Sequence, residues 1–454
     1  CRAIIAPDGT PLSGDLAARI MDVAGIVANR NTIPGDKSAL RAFGVRFGTP
    51  WITQRGFGIE ESRKLADLIA DLLLATTPYK IQSRRGYTYR AKVDFEVLEQ
   101  VKLGVAELCQ KIDSYTEHET YKYPFNYSIK AESTDQWRSF LLKGQKINEF
   151  INFTLASDTE SLLEGKTQKT SFYTPSGFIS GSLTKLDDYC YQLSLSGEKA
   201  NYGTAWLRDL SDAYTIFDKD LLRRIPGPVI ISDSDLEPRK DGEESSSATK
   251  PWFIGCDDET ANSSLPDFEW VEPENPIIKK TVLNQVHKDL GGRMVEFAGW
   301  EMPVQYTSIQ EEHMATRTAA GLFDVSHMGV LSAEGPNAAV FLDSVCGNDI
   351  SGLSVGKSCY THIMTPDAEV IDDLIVYRRY EDNFLVVVNA ANKEKDWAWL
   401  TSVRDGKVKV DKNRPGAKAY GRNVVLKDLS EVQHGDDRLI DLALQGRMST
   451  KILL

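Results

Sequence analysis

Ile371-Asp372-Asp373-Leu374-Ile375-Val376-Tyr377 decides how the C-terminal part of this chain is built. Together with the run Phe384 to Asn389 it reads as two strands, Asp373–Arg378 and Phe384–Asn389, joined by a polar turn. Neighbouring side chains in a strand point to opposite faces. One of Asp372 and Asp373 is therefore expected to face a cavity, and the other to cap or bond locally. Two further blocks precede the strands: Phe297-Ala298-Gly299-Trp300-Glu301-Met302-Pro303-Val304-Gln305-Tyr306, and Gly321-Leu322-Phe323-Asp324-Val325-Ser326-His327-Met328-Gly329. Asp324 and His327 read as a helix-to-strand junction pair making structural hydrogen bonds. His287 and His313 have no partner at metal-ligand spacing, so they read as surface or local bonds and no metal site is expected.

In this order and spacing the three blocks resemble the folate-binding half of the glycine cleavage T-protein, an aminomethyltransferase, over residues 275–454. In that family, tetrahydrofolate N5 attacks an aminomethyl group carried on the lipoyl arm of the H-protein. Ammonia leaves and 5,10-methylene-tetrahydrofolate forms. The resemblance places on the pair Asp372-Asp373 the carboxylate that orients the pterin and stabilises its developing charge, and the spacing from Tyr360 and Tyr377 favours Asp373 as that catalytic residue. It implies further folate-binding positions at Tyr360, Asp372, Ile375, Tyr377, Asn389 and Met302. Aromatic walls suit a flat ring, and an Asn amide offers both donor and acceptor. Taken by themselves, Tyr377 is an ordinary strand aromatic, Asn389 a strand end and the acidic pair a polar strand start. Ala368-Glu369 stand where the family often has two glycines, and Arg447 stands where proline usually follows Gly446.

A second resemblance begins near the N-terminus. Asn29-Arg30-Asn31-Thr32-Ile33-Pro34-Gly35-Asp36-Lys37-Ser38, followed by Gly44-Val45-Arg46-Phe47-Gly48-Thr49-Pro50, is similar to the C-terminal small domain of serine hydroxymethyltransferase. The likeness implies that Arg46 grips a substrate carboxylate, as a planar guanidinium does with two parallel bonds. It places folate contacts at Asn31, Ser38, Ala39 and Leu40. The family's pyridoxal 5'-phosphate and its lysine belong to a large domain outside this sequence, so cofactor chemistry is expected only of a complete parent. Dimerisation through this first unit is expected there as well. Glycine and serine are the implied small-molecule substrates, and the lipoyl H-protein the implied partner.

Between these regions lies a repeat. Phe150-Ile151-Asn152 aligns with Phe341-Leu342-Asp343, Gly165-Lys166 with Gly356-Lys357, and Thr174-Pro175 with Thr365-Pro366, at a constant spacing of 191 residues. Carried forward, Leu183 aligns with Leu374, and a later two-residue gap brings Trp206-Leu207 onto Trp399-Leu400. This reads as a duplicated domain. Gly181-Ser182 then stand opposite Asp372-Asp373, Lys169 opposite Tyr360, and Ser196 opposite Asn389, so the earlier copy is expected to be degenerate.

The expected architecture is α/β and α+β, multidomain. A small domain of the pyridoxal-phosphate transferase type I fold (residues 1–115, incomplete) precedes two α+β domains like the aminomethyltransferase folate-binding domain. The degenerate one covers 120–237, a linker 238–274, and the second domain 275–454, truncated. The linker rests on Asp241-Gly242-Glu243-Glu244-Ser245-Ser246-Ser247, a stretch unable to bury a core. In the first unit, Leu65, Leu68, Ile69, Leu72 and Leu73, then Val97, Leu98, Val101, Val105 and Leu108, recur at helical spacing.

A length of 454 residues suits two to four domains, and 41% hydrophobic with 26% charged residues is globular composition. A net charge of −12 argues against general nucleic-acid or anionic-membrane binding. Six scattered cysteines without a CxxC pair suggest a reduced, cytoplasmic setting. No apolar run reaches membrane-spanning length, and no secretory signal opens the sequence. It starts at Cys1 in what reads as mid-domain sequence, so it is expected to be a fragment. The function expected is one-carbon transfer in glycine and serine metabolism. The alternative is a non-catalytic folate-binding or scaffold module, or an inactive truncated fragment.

Overall fold

The structure is a computed structural model, and it describes residues 1–38, 41–83, 86–110, 136–245, 247, 250, 252–256, 264–274, 277–421 and 423–454. The chain is a mixed α/β, multidomain protein. Two compact units are separable: residues 1–246 with 253–256, and residues 247–252 with 257–454.

In the first unit, α1 (Gly14–Val23) begins where Ser13 Oγ accepts the Leu16 N–H at 3.2 Å, and it buries Leu16, Ala17, Ile20 and Met21. A short antiparallel ribbon follows, β1 (Asn29–Asn31) with β2 (Gly44–Arg46), then α2 (Pro50–Gln54). The two apolar stripes form α3 (Ile59–Leu74) and α4 (Phe95–Gln110). They share a core with α1 and with β4 (Gly86–Val93), which pairs antiparallel with β3 (Thr76–Ser83).

The same unit continues with β5 (Trp137–Lys143), α5 (Ile147–Thr154), β6 (Thr167–Thr174), β7 (Gly177–Asp187), β8 (Cys190–Ser196), α6 (Gly197–Asp212) and β9 (Ile230–Ser234). The strands form one antiparallel sheet, ordered β6-β7-β8-β5-β9, and α6 packs on β5, β8 and β9. A buried ion cluster joins α4 to α6, with Lys102 Nζ donating to Glu99 and to Asp209 at 2.7 Å each. Burial, helped by the neighbouring Asp209, pushes Glu99 up to about 7 against the pull of Lys102.

The second unit opens with β10 (Lys279–Lys280), α7 (Asn284–Asp289), β11 (Arg293–Phe297) and β12 (Trp300–Gln305), the strands being ordered β10-β12-β11. Ala298 and Gly299, both at positive φ (51° and 78°), make the tight turn between β11 and β12. Next come α8 (Ile309–Thr318), β13 (Gly321–Asp324), β14 (Gly329–Glu334), α9 (Ala338–Val345), β15 (Ser358–Met364), β16 (Val370–Tyr380), β17 (Asn383–Val388), α10 (Lys393–Arg404) and β18 (Val425–Asp428). Finally β19 (Leu442–Gln445) returns to pair with β13, and α11 (Ser449–Leu453) follows.

The main sheet of this unit, β15-β16-β17-β14-β18, repeats the topology of β6-β7-β8-β5-β9 strand for strand. Trp206 and Trp399 are each 1% exposed on the equivalent helices α6 and α10. Register corrects the alignment at one point. Thr170 faces Gly181, which faces Leu195; Thr361 faces Leu374, which faces Val388. Leu374 is therefore the counterpart of Gly181, not of Leu183. The two-residue gap lies inside the hairpin, where β6 and β7 turn tightly and β15 and β16 turn through Thr365–Glu369. The counterparts of Asp372 and Asp373 are Ile179 and Ser180, not Gly181 and Ser182.

The expected linker is not free chain where it leaves the first unit. Gln192 Nε2 donates to the Glu237 carbonyl (2.8 Å), the Arg239 N–H donates to Ser194 Oγ (3.1 Å), and Ser182 Oγ donates to the Arg239 carbonyl. Glu243 then exchanges backbone bonds with Thr167 and Lys169. Residues 237–245 thus form a strap across one face of the β6-β7-β8 region, where Ser182, Thr184 and Ser194 are fully buried. Polar groups of sheet and strap satisfy one another, so a search for apolar burial overlooks it. Phe253 and Ile254 are buried too, and the Ile254 N–H bonds the Phe153 carbonyl.

Candidate functional site

β16 carries the acidic pair, and its alternation separates the two carboxylates. Asp372 lies with Leu374 and Val376 on the buried face, against the core that includes Trp399 of α10. Asp373 lies with Ile375 and Tyr377 on the other face, half-buried or exposed. Tyr360 pairs with Ile375 across β15 and β16 and shares this open face; its hydroxyl donates to Asp373 Oδ2 at 3.0 Å. That bond holds the phenol proton on and raises the Tyr360 pKa. Asn389, at the end of β17, reaches both sides: its amide donates to Asp372 Oδ1 (3.0 Å), to Asp373 Oδ1 (3.2 Å) and to the Asp373 carbonyl (3.0 Å).

Thus Tyr360, Asp372, Asp373, Ile375, Tyr377 and Asn389 are brought together. The face is open: Tyr360 is 53% and Tyr377 41% exposed. Met302 is buried on β12, in a different sheet. In the first unit Arg46 and Asn31 are exposed on the β1–β2 ribbon, and the Asn31 amide bonds the Thr32 carbonyl. Ser38 is exposed, and its carbonyl accepts the Arg41 N–H. Ala39 and Leu40 lie outside the described residues.

Asn392 and Asp396 escaped the sequence reading. Asn392 Nδ2 donates to Asp372 Oδ1 at 2.7 Å, so that oxygen receives two amide bonds. Asp372 Oδ2 and both Asp396 oxygens are buried and, among the described residues, have no hydrogen-bond partner. Burial first, and the adjoining Asp372 second, push Asp396 up to about 8. A carboxyl raised this far favours its protonated form up to about pH 8, and Asp372 is the carboxylate that adjoins it. The only trace in the sequence is the Asn392 to Asp396 spacing of one helical turn. An acid in the first turn of a helix reads as a favourable surface charge instead.

Asp324 is held differently from the expected pairing with His327. Its carboxylate bonds His287 Nε2 (2.6 Å), the Thr281 hydroxyl (2.8 Å) and the Ser326 N–H (3.0 Å), while His287 Nδ1 meets the Tyr306 hydroxyl at 2.6 Å. His287 is thereby buried rather than a surface residue. These contacts pull Asp324 below the ordinary carboxylate range even though burial opposes them as the largest single influence. The network ties α7 to β13. Among the described residues no group of three or more His, Cys, Asp or Glu is placed to hold a metal ion, and no helix is long and apolar enough to cross a membrane.

Comparison with known proteins assigns both ends of the chain. Residues 283–453 match the family model of the GCVT N-terminal domain, and residues 4–69 match that of serine hydroxymethyltransferase. The aminomethyltransferase of Bacillus velezensis is 46% identical over 140 residues, 31% of this chain and 38% of that protein. That of Bacillus subtilis is 40% identical over 167 residues (35% and 46%), and that of Halothermothrix orenii 44% over 176 (39% and 43%). The crystal structure of glycine cleavage system aminomethyltransferase T from Bartonella henselae is 33% identical, covering 39% of this chain and 43% of that one, with a TM-score of 0.32. The chain spans less than half the length of these relatives. It carries, in one polypeptide, a serine hydroxymethyltransferase-like segment near its N-terminal end and a GCVT N-terminal domain in its last third.

Proposed function

We propose that the last third of the chain supplies the folate-binding face of a tetrahydrofolate-dependent aminomethyltransferase. The observation that carries this reading is the group Asp373, Tyr360 and Asn389 on one open sheet face. In the reaction, N5 of tetrahydrofolate attacks the methylene of an aminomethyl group on a lipoyl arm, the C–N bond breaks and ammonia departs with the N5 proton; N10 then attacks the same carbon, the C–S bond breaks, and the lipoyl sulfur leaves as a thiol with the N10 proton. Asp373 accepts a pterin N–H and faces the positive charge that develops on the attacking nitrogen. Tyr360 and Asn389 fix the carboxylate's orientation, and Tyr377 and Ile375 border the ring. Asp372 sits behind the sheet and acts on Asp373 through Asn389, which makes it a positioning residue. A lipoyl H-protein is the partner, and 5,10-methylene-tetrahydrofolate the product.

The N-terminal segment supports a parent in which serine hydroxymethyltransferase is fused to this transferase, both yielding the same folate. Pyridoxal phosphate does not fit the described residues. Arg46 and Asn31 stand exposed on a ribbon, and the buried lysines of that unit are engaged, Lys92 with the Arg223 carbonyl and Lys102 with Glu99 and Asp209. No step is routed through that cofactor. For the β6-β7-β8-β5-β9 sheet, the strap across its face favours a structural role.

The test is tetrahydrofolate-dependent ammonia release from aminomethylated H-protein. Asp373→Asn is expected to lower the rate about 100-fold or more, with the fold intact. Equal rates for wild type and variant would overturn the assignment.

A further inference from the structure

The first unit contains a cavity of ≈ 860 Å³ whose walls carry nine arginines and lysines against three aspartates, in a chain of net charge −12. Four of the cations have acid partners: Arg2 pairs with Asp36, Arg19 and Arg30 with Asp15, and Arg223 with Asp218. The wall still holds Lys37, Arg41, Arg90, Lys92 and Arg224. Arg90 donates to the Tyr89 carbonyl and Lys92 to the Arg223 carbonyl at 2.9 Å, neither of which cancels charge.

Lys92 is the most informative member. It is 2% exposed, and its ammonium lies 4.4 Å from the centre of the Phe217 ring. Burial, with Arg224 repelling it, brings it down to about 8, although Asp218 and Asp220 pull the other way. Arg224 and Arg90 likewise bear on the half-buried Tyr79. Crowding like charges around a concave surface works against folding unless an opposite charge enters. Tyr79, Tyr89, Tyr214 and Phe217 supply aromatic walls, and the volume falls in the range of about 300–1,000 Å³ typical of small-molecule sites.

One wall, Asp212 to Ile225, lies outside the segment matched to serine hydroxymethyltransferase. Arg46 and Asn31 are not among the lining residues. We infer that this cavity binds a small polyanion, a phosphate ester or polycarboxylate with a body that lies against aromatic rings. The inference is independent of the folate reading of the last third.

The test is calorimetric titration of the full 454-residue chain with pyrophosphate and, separately, with citrate, each at low and at high salt. Arg41→Gln/Arg224→Gln is the variant, because both side chains are exposed and neither makes an ion pair among the described residues. Saturable binding that weakens at least tenfold in the variant, and that weakens with salt, is expected while the melting midpoint of the free chain does not fall. Pyrophosphate binding alone identifies a phosphate site, citrate binding alone a carboxylate site, and binding of both a general polyanion site. Failure of both probes to bind, or equal binding by the variant, would overturn the inference.

Discussion

Two sheets of the same topology face opposite fates in this molecule. In β6-β7-β8-β5-β9 the face bearing Ser182, Thr184 and Ser194 is sealed by the strap 237–245. In β15-β16-β17-β14-β18 the equivalent face, bearing Ile375, Tyr377 and Val387, is left partly or fully open. The interior differs in the same sense. Asp372 and Asp396 of the later sheet correspond to Ile179 and Gly203 of the earlier one, where a Cβ on Gly203 would stand 2.9 Å from the Phe172 ring and 3.3 Å from Ile179. At these two positions the earlier copy is apolar, and its outer face is covered. The other keeps two buried carboxyls, Asp372 and Asp396, behind the half-buried Asp373, an arrangement that costs stability.

The largest expected effect comes from forcing one copy toward the other. Gly203→Asp drives a carboxyl against Phe172 and Ile179, where Ile179 stands in place of the Asp372 carboxylate that adjoins Asp396 in the later copy. It should cost about 4 kcal/mol, through overpacking and an unpaired buried acid. Urea unfolding measures this, and a loss under about 1 kcal/mol would mean that the earlier interior is looser than described.

The duplication was legible because Phe150, Gly165-Lys166 and Thr174-Pro175 keep their spacing to their counterparts. The register was not, because a turn can lengthen by two residues while its flanks keep similar chemistry; hence the misplaced partners of Asp372 and Asp373. The opposite facing of those two aspartates follows from strand alternation alone. Asp396 was hidden because its partner lies 24 positions away in sequence (396 − 372) and meets it only once α10 packs on β16. The strap was hidden because polar composition signals solubility whether or not the backbone is bonded.

The second prediction concerns pH. Below about pH 4 Asp396 is protonated in both the folded and the unfolded chain, so it contributes nothing. Between pH 4 and 8 the unfolded chain gives up this proton while the folded one retains it, and stability falls with rising pH until about 8. Asp396→Asn has no such proton to give up and removes the slope. The variant should gain about 3.5 kcal/mol on wild type between pH 5 and pH 8, read from urea midpoints at the two values. Parallel curves would remove the retained proton from the account.

A smaller effect is expected at the hairpin turns. Ala368 sits at φ 63°, where the earlier hairpin uses Gly177 at φ 105°. Ala368→Gly should stabilise by about 0.5–1 kcal/mol, because relief of the left-handed alanine outweighs the added freedom of the unfolded chain. A thermal melt checks the sign, and destabilisation would contradict the turn geometry. The smallest effect is expected at the exposed Lys169–Glu244 pair of the strap. Glu244→Ala should leave the melting midpoint unchanged, since the backbone bonds of the strap remain. A clear drop would make that ion pair a true clamp.

Hydrogen exchange with and without tetrahydrofolate tests the contrast between the sheets most directly. The account predicts slowed exchange in Ser358–Met364, Val370–Tyr380 and Asn383–Val388, with Thr167–Thr174 and Cys190–Ser196 unaffected. Protection that appears in the earlier sheet, or in neither, would contradict it.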